Sequence, residues 1–192
     1  MKARVPKDSL KASTSIRAKS GQNKRTRQEI ARLMTPTRLT CGGVEMITKT
    51  LNKLIADAFA LYLKSKNFHW HLSGSHFRDY HLLFDEQADQ IFATIDVLAE
   101  RVRKLGGLTI HSIGEVSNLQ GIRDDNERYV APREMVSRLL EDNLYSAQQL
   151  AKAIDICDDN KDVATSNILQ TFLDETERRV WFLFEILEGK ED

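Results

Sequence analysis

A chain of 192 residues has the length of one ordinary domain, and 41% hydrophobic and 29% charged residues provide for a packed core, which excludes wholesale disorder. No apolar run approaches the roughly 18 residues of a membrane span, and the N-terminus lacks the apolar segment of a secretory signal. Nine glycines and three prolines are few, so the composition favours long helices over a turn-rich β protein. Cys41 and Cys157 cannot make a disulfide framework and fit a reducing compartment, so we expect a cytoplasmic protein with no membrane partner.

The net charge of zero conceals a strong asymmetry. Residues 1–38 hold eleven basic and two acidic side chains, a charge of +9, so the remainder of the chain carries −9. Residues 1–30 are too polar to offset the entropy of an ordered chain, and we therefore predict a flexible basic arm over residues 1–40. A short helix at residues 24–34 is compatible with the pattern.

Helical periodicity begins at about residue 43, where apolar side chains recur at i, i+3 and i+4. The first predicted helix runs to about His71 and is broken by Ser73-Gly74-Ser75. A second helix follows from Phe77 to Leu105 and stops at Gly106-Gly107.

Residues 108–131 are a long connection with one short predicted helix near 111–119. Pro132 suits the first turn of a third long helix, which Asp158-Asp159-Asn160 ends, and a fourth begins near Asp162. Two helix hairpins joined by a long crossover predict an all-α, ferritin-like four-helix bundle over residues 41–192, with a short helix in the crossover.

The second helix carries a stripe of potential metal ligands. At about 100° per residue, taking His81 as zero, Asp85, Asp96 and Glu100 fall near 40°, 60° and 100°, beside the apolar stripe. An ordinary solvated face would include Lys and Arg, and between His81 and Glu100 this arc has none. His69, from the preceding helix, lies at a similar height to His81 in an antiparallel hairpin, so we expect His69, His81 and Asp85 to converge.

Asp96 and Glu100 cannot join this group within one subunit, because Asp85 and Asp96 are about 16 Å apart along the helix. The pairs His81/Glu100 and Asp85/Asp96 are both centred between Gln90 and Ile91. A two-fold axis at that point would place the acids of one subunit beside the histidines of its mate. The spacing therefore predicts two identical intersubunit sites per dimer.

Imidazole and carboxylate ligands with open positions suit ferrous iron that must meet an oxidant, and the lack of nearby thiolates disfavours a structural zinc site. No Glu-x-x-His motif occurs, which argues against a di-iron site inside one bundle. Each residue also has an ordinary alternative. His69 alone could cap or pack a helix end, His81 and Asp85 could form a surface pair, and Asp96 and Glu100 could be solvated.

The pattern His69-Trp70-x10-His81-x3-Asp85-x10-Asp96-x3-Glu100-Arg101 resembles the Dps family of mini-ferritins, over roughly residues 43–188. The resemblance implies a hollow homododecamer with ferroxidase sites at the dimer axes. In each site His69, His81 and Asp85 from one subunit, with Asp96 and Glu100 from its mate, would bind iron. Trp70 is either an electron donor beside the site or a packing residue. Lys66 either pairs with a site carboxylate or is solvated.

The implied reaction is oxidation of Fe(II), preferably by hydrogen peroxide, with ferric oxide deposited in the cavity. The family also has acidic pores near the start of the fourth helix, where Asp158, Asp159 and Asp162 are candidates; a simple helix-end cluster is the alternative.

The arm predicts non-specific binding to double-stranded DNA and association with the nucleoid, because basic side chains bind phosphate without reading bases. A solubilising or assembly tail is the alternative. The residues assigned to DNA are Lys2, Arg4, Lys7, Lys11, Arg17, Lys19, Lys24, Arg25 and Arg27. A competing hypothesis for the whole protein is a DNA-compacting nucleoid scaffold whose metal sites are only structural.

Overall fold

The computed structural model describes residues 31–189, and within that range it contains five helices and no strand. These are α1 (Cys41–His71), α2 (Phe77–Lys104), α3 (Ile113–Leu119), α4 (Pro132–Asp159) and α5 (Val163–Glu188). The four long helices and the short crossover helix confirm the predicted elements, with ends within about two residues of those expected. No helix in the described range is long and apolar enough to cross a membrane.

The long helices form two hairpins, α1 with α2 and α4 with α5, and α1 also packs on α4. The short α3 lies against α1, so the crossover runs along one face of the bundle. This arrangement is the ferritin-like four-helix bundle that the sequence predicts.

Local chemistry sets the helix ends. Thr40 caps α1 by accepting a hydrogen bond from the Gly43 N–H at 3.1 Å, and Pro132 occupies the first turn of α4. Gly106 ends α2 at a φ of 83°, where its backbone lies close to Thr35 and a side chain would collide. The sequence therefore specifies where each hairpin turns, and the turns bring His69 and His81 to the same end of the bundle.

The apolar faces of the helices form two buried clusters along the bundle. One lies towards the N-terminus of α1 and includes Ile47, Leu51 and Leu169. The other surrounds Phe68 and Phe84 beneath the α1–α2 turn. The second cluster supports the helix ends that carry the predicted metal ligands.

Residues 33–39 lie against the bundle. The Arg103 guanidinium donates to the Leu33 carbonyl at 2.7 Å, the Thr35 hydroxyl donates to the Arg103 carbonyl at 3.0 Å, and Leu39 packs on the core. The docked segment thus takes up the last part of the predicted arm of residues 1–40. The predicted helix at 24–34 lies mostly outside the described residues, and so do all nine side chains assigned to DNA.

Candidate metal centre

His69 and His81 come together at the α1–α2 turn. Their rings stack with centroids 3.7 Å apart, and each Nδ1 lies against the other residue's backbone carbonyl, at 2.8 Å for His69 and 3.0 Å for His81. A carbonyl oxygen can only accept, so each Nδ1 carries the hydrogen. The Nε2 atom of each neutral ring is therefore left with its lone pair, which is the form that binds a metal.

Asp85 lies one turn after His81 and joins the pair. Its Oδ1 is 3.7 Å from the His69 Nε2, and its side chain is 41% exposed. The Lys66 ammonium donates directly to the same oxygen and lies 3.4 Å from Asp89. The Lys66 contact holds the pKa of Asp85 below its usual range and raises the pKa of Lys66, so the pair is charged at neutral pH.

Lys66 thus already occupies the Asp85 carboxylate that a metal ion would need as a ligand. The sequence left open whether Lys66 pairs or is solvated, and the pair is what the structure shows. A metal ion binding at Asp85 must compete with the ammonium for the same oxygen.

The other two predicted ligands lie on the exposed face of α2. Asp96 is exposed, and Glu100 has a 59% exposed side chain that pairs with Lys104 at 2.9 Å on its own helix. Within residues 31–189 of one chain, no three His, Cys, Asp or Glu side chains are close enough to hold a metal ion. His69, His81 and Asp85 therefore lie near one another at the α1–α2 turn without forming a metal site by themselves, Asp96 and Glu100 lie apart from them, and the shared ligand set stays a prediction.

Trp70 is 61% exposed and lines a groove with Leu63, His71 and Ile113 between α1 and the crossover. Its role as electron donor stays a prediction.

The three acids considered for a pore divide into two kinds. Asp158 and Asp159 are exposed at the end of α4. Asp162, by contrast, is 3% exposed, caps α5 through the Thr165 N–H, and binds the Arg101 guanidinium at 2.7 Å. Its carboxylate joins α2 to α5 and is buried within the chain, whereas Asp158 and Asp159 face solvent, and the pore itself stays a prediction.

Two features of the site were not found by sequence reasoning. The reciprocal bonds between histidine rings and carbonyls depend on the distance between two helix ends. The pair of Arg101 and Asp162 joins residues 61 positions apart. The only sequence signal for either was the position of Arg101 directly after a predicted ligand.

Comparisons with known proteins agree with this fold. The family model of the ferritin-like domain matches residues 48–191. The DNA protection during starvation protein of Brevibacillus brevis is 32% identical over 144 residues, which cover 75% of this chain and 96% of that protein.

Solved structures show the same relation. DpsC from Streptomyces coelicolor superposes with a TM-score of 0.79 at 28% identity, covering 83% of this chain and 93% of that one. A Dps protein from Bacillus brevis gives 0.75 at 30% identity, covering 78% and 100%. The chain belongs to the ferritin-like family and, within it, to the Dps proteins.

Proposed function

We propose that this protein oxidises Fe(II), preferably with hydrogen peroxide, at sites shared between two subunits, and stores the ferric product inside a hollow dodecamer. One observation carries the proposal: the His69 and His81 rings stack beside Asp85 with each Nδ1 on a backbone carbonyl, while Asp96 and Glu100 stand exposed further along α2. Imidazole and carboxylate donors together suit iron, and the half-set in one chain needs a partner to complete it.

The residues divide the chemistry between them. The carbonyl bonds at each Nδ1 orient the imidazoles and set their tautomer before iron arrives. The carboxylates stabilise the higher charge of Fe(III) relative to Fe(II). Two Fe(II) ions each give one electron to one peroxide, which is reduced to two hydroxide equivalents, so no hydroxyl radical is released.

Lys66 keeps Asp85 neutralised while no iron is bound. The ammonium gives up the carboxylate when Fe(II) enters, and the net charge of the site then changes little. The site therefore avoids the repulsion between Asp85 and the partner's acids that an empty cluster of carboxylates would suffer.

The test begins with anaerobic protein, to which Fe(II) and then peroxide are added. We expect loss of Fe(II) faster than in buffer, about two Fe(II) consumed per peroxide, and iron retained with the oligomer. An Asp96→Asn/Glu100→Gln variant should lose the rapid phase. A Glu86→Gln variant is the matched control, because this exposed carboxylate lies on α2 but pairs with Gln90.

Slow oxidation with no retained iron, in an oligomer of normal size, would instead favour the nucleoid scaffold with structural metal sites. Oligomer mass, measured on the same samples, tests the dodecamer directly.

The basic arm supports a second function, non-specific binding of double-stranded DNA. Its charge of +9 over residues 1–38 contrasts with −9 on the rest of the chain, so the arm is the part that phosphate attracts. Residues 33–39 attach this segment to the end of α2, and residues 1–30, which precede them in the sequence, hold nine of the eleven basic side chains.

Deleting residues 2–30 should abolish gel retardation of DNA and leave iron oxidation unchanged. A second variant keeps the arm length but replaces the nine Lys and Arg side chains of residues 2–30 with Gln. If the positive charge is responsible, this variant also fails to bind DNA. If it retards DNA in the gel normally, the arm is instead a solubilising or assembly tail. Binding by the native protein should weaken steeply with salt.

A further inference from the structure

Arg179 on α5 is buried in the bundle, and within residues 31–189 it forms no ion pair with a carboxylate. Its side chain is 5% exposed, its Nε donates to Asn143 Oδ1 at 3.0 Å, and one Nη2 hydrogen goes to the Thr176 hydroxyl at 2.7 Å. Its Nη1 has no partner among the described residues. Burial lowers the pKa of Arg179 to about 10, so the guanidinium is still charged at neutral pH. A buried charge with an unpaired donor is costly unless another group binds it.

A cavity of about 40 Å³ adjoins Arg179 at the junction of the two apolar clusters. It lies between all four long helices, and its polar lining comes from Asp57, Thr94, Ser146, Thr176 and Arg179. A cavity needs roughly 10–15 Å³ of such volume for one water, so this space holds about three. Water requires two to four polar partners, and these side chains provide them.

Asp57 supplies the opposite charge. Its Oδ1 accepts hydrogen bonds from the Gly121 N–H at 2.5 Å and the Ile122 N–H at 3.1 Å, and its side chain also lines the cavity. Burial raises the pKa of Asp57 above its ordinary value, and the two backbone donors oppose that shift by stabilising the ionised carboxylate. Arg179 and Asp57 both line the cavity with opposite charges, which makes a neutral ligand a better occupant than a free anion.

We propose that ordered water fills this cavity and joins the Arg179 guanidinium to the Asp57 carboxylate as a solvent-bridged ion pair. Four-helix carboxylate proteins build metal sites from side chains that face the bundle interior. In this chain the bundle interior holds the Arg179 guanidinium instead, so the cavity is a site for water and not for a metal ion. The bridge also connects α5 to the crossover, because Asp57 holds the backbone of Gly121 and Ile122.

The direct test is a high-resolution crystal structure of the full-length protein from crystals soaked in sodium bromide. We expect water peaks within hydrogen-bonding distance of Arg179 Nη1 and of Asp57, and no anomalous bromide signal there. A dry cavity overturns the proposal. Bromide beside Arg179 also overturns it, because the site would then bind an anion.

A double-mutant cycle tests the pairing. Asp57→Asn and Arg179→Met should each lower the Tm by about 5–10 °C, and the double variant should lose clearly less than the two shifts combined. Additive losses contradict the bridge. Arg178→Met is the control, because Arg178 is an exposed neighbour whose guanidinium lies over the Phe182 ring, and it should shift the Tm by about a degree or less. The water peaks decide the question if a core variant does not fold.

Discussion

The polar face of α2 has a histidine end, at His81 and Asp85, and an acidic end, at Asp96 and Glu100. The two ends differ in the contacts that hold their side chains in place. At the N-terminal, histidine end, contacts from α1 position the predicted ligands. The His69 Nδ1 donates to the His81 carbonyl, and the Lys66 ammonium donates to Asp85. At the C-terminal end, Asp96 is exposed, and Glu100 pairs with Lys104 with both side chains about 60% exposed. The histidine end is organised within one chain, whereas the acidic end lacks such contacts and, in the proposed function, becomes a site only through a partner.

The largest effect on Fe(II) oxidation should come from removing the predicted ligands of the two ends in two different subunits. A His69→Ala/His81→Ala subunit and an Asp96→Ala/Glu100→Ala subunit should each lose rapid Fe(II) oxidation. Refolded together, they should recover about a quarter of the wild-type rate, because half of randomly formed dimers are mixed and each mixed dimer has one complete site of two. The measurement is the initial rate of Fe(II) loss after addition of peroxide.

Mass spectrometry of differently tagged subunits is the control for mixing. No recovery of the rate in confirmed mixed dimers would show that the two ends of α2 do not share a site.

Arg101 anchors the acidic end of α2 to α5 within its own chain. Arg101 follows Glu100 and binds the buried Asp162, so Arg101→Met leaves a carboxylate unpaired. Loss of such a partner should lower the Tm by about 5–10 °C. The rate of Fe(II) oxidation at low temperature should stay within about two-fold of wild type, because Arg101 is not a predicted ligand. A rate as low as that of the Asp96→Ala/Glu100→Ala subunit would mean that Arg101 positions Glu100.

A smaller effect should follow removal of the competing cation at the histidine end. Lys66→Met frees Asp85, so we expect Fe(II) to bind about two- to five-fold more tightly, in line with a partly exposed ion pair. Anaerobic titration with Fe(II) measures the change. Unchanged or weaker binding would show that Lys66 does not compete with iron for Asp85.

The smallest effect is expected from the matched variant at the other end. Lys104→Met removes the ammonium beside Glu100, but both side chains are well exposed and screened by solvent. Affinity for Fe(II) should change by less than about two-fold. A larger gain in Fe(II) affinity than in Lys66→Met would mean that the acidic end is held more tightly by its own chain than the histidine end, which contradicts the comparison above.

Much of the fold could be predicted because its signals are local. The 3.6-residue period, the breaks at Gly74 and Gly106, and Pro132 at the start of α4 placed every long helix. The ligand stripe on α2 could also be predicted, since residues on one helix keep a known angular relation. The burial of Asp162 could not be predicted, because its neighbours Asp158 and Asp159 suggest a solvated acidic cluster and only its contact with Arg101 sets it apart.

The amino-acid sequence by itself determined the helices, the order of the hairpins, the spacing of the ligands along α2 and the separation of a basic arm from an acidic body. Only the tertiary structure decided which atoms those side chains meet: the carbonyls that orient His69 and His81, the Lys66 ammonium on Asp85, and the buried position of Arg179. The reason is physical. Helical periodicity acts over a few residues, whereas hydrogen bonds and burial depend on ångström-scale distances between helices that are remote in the chain.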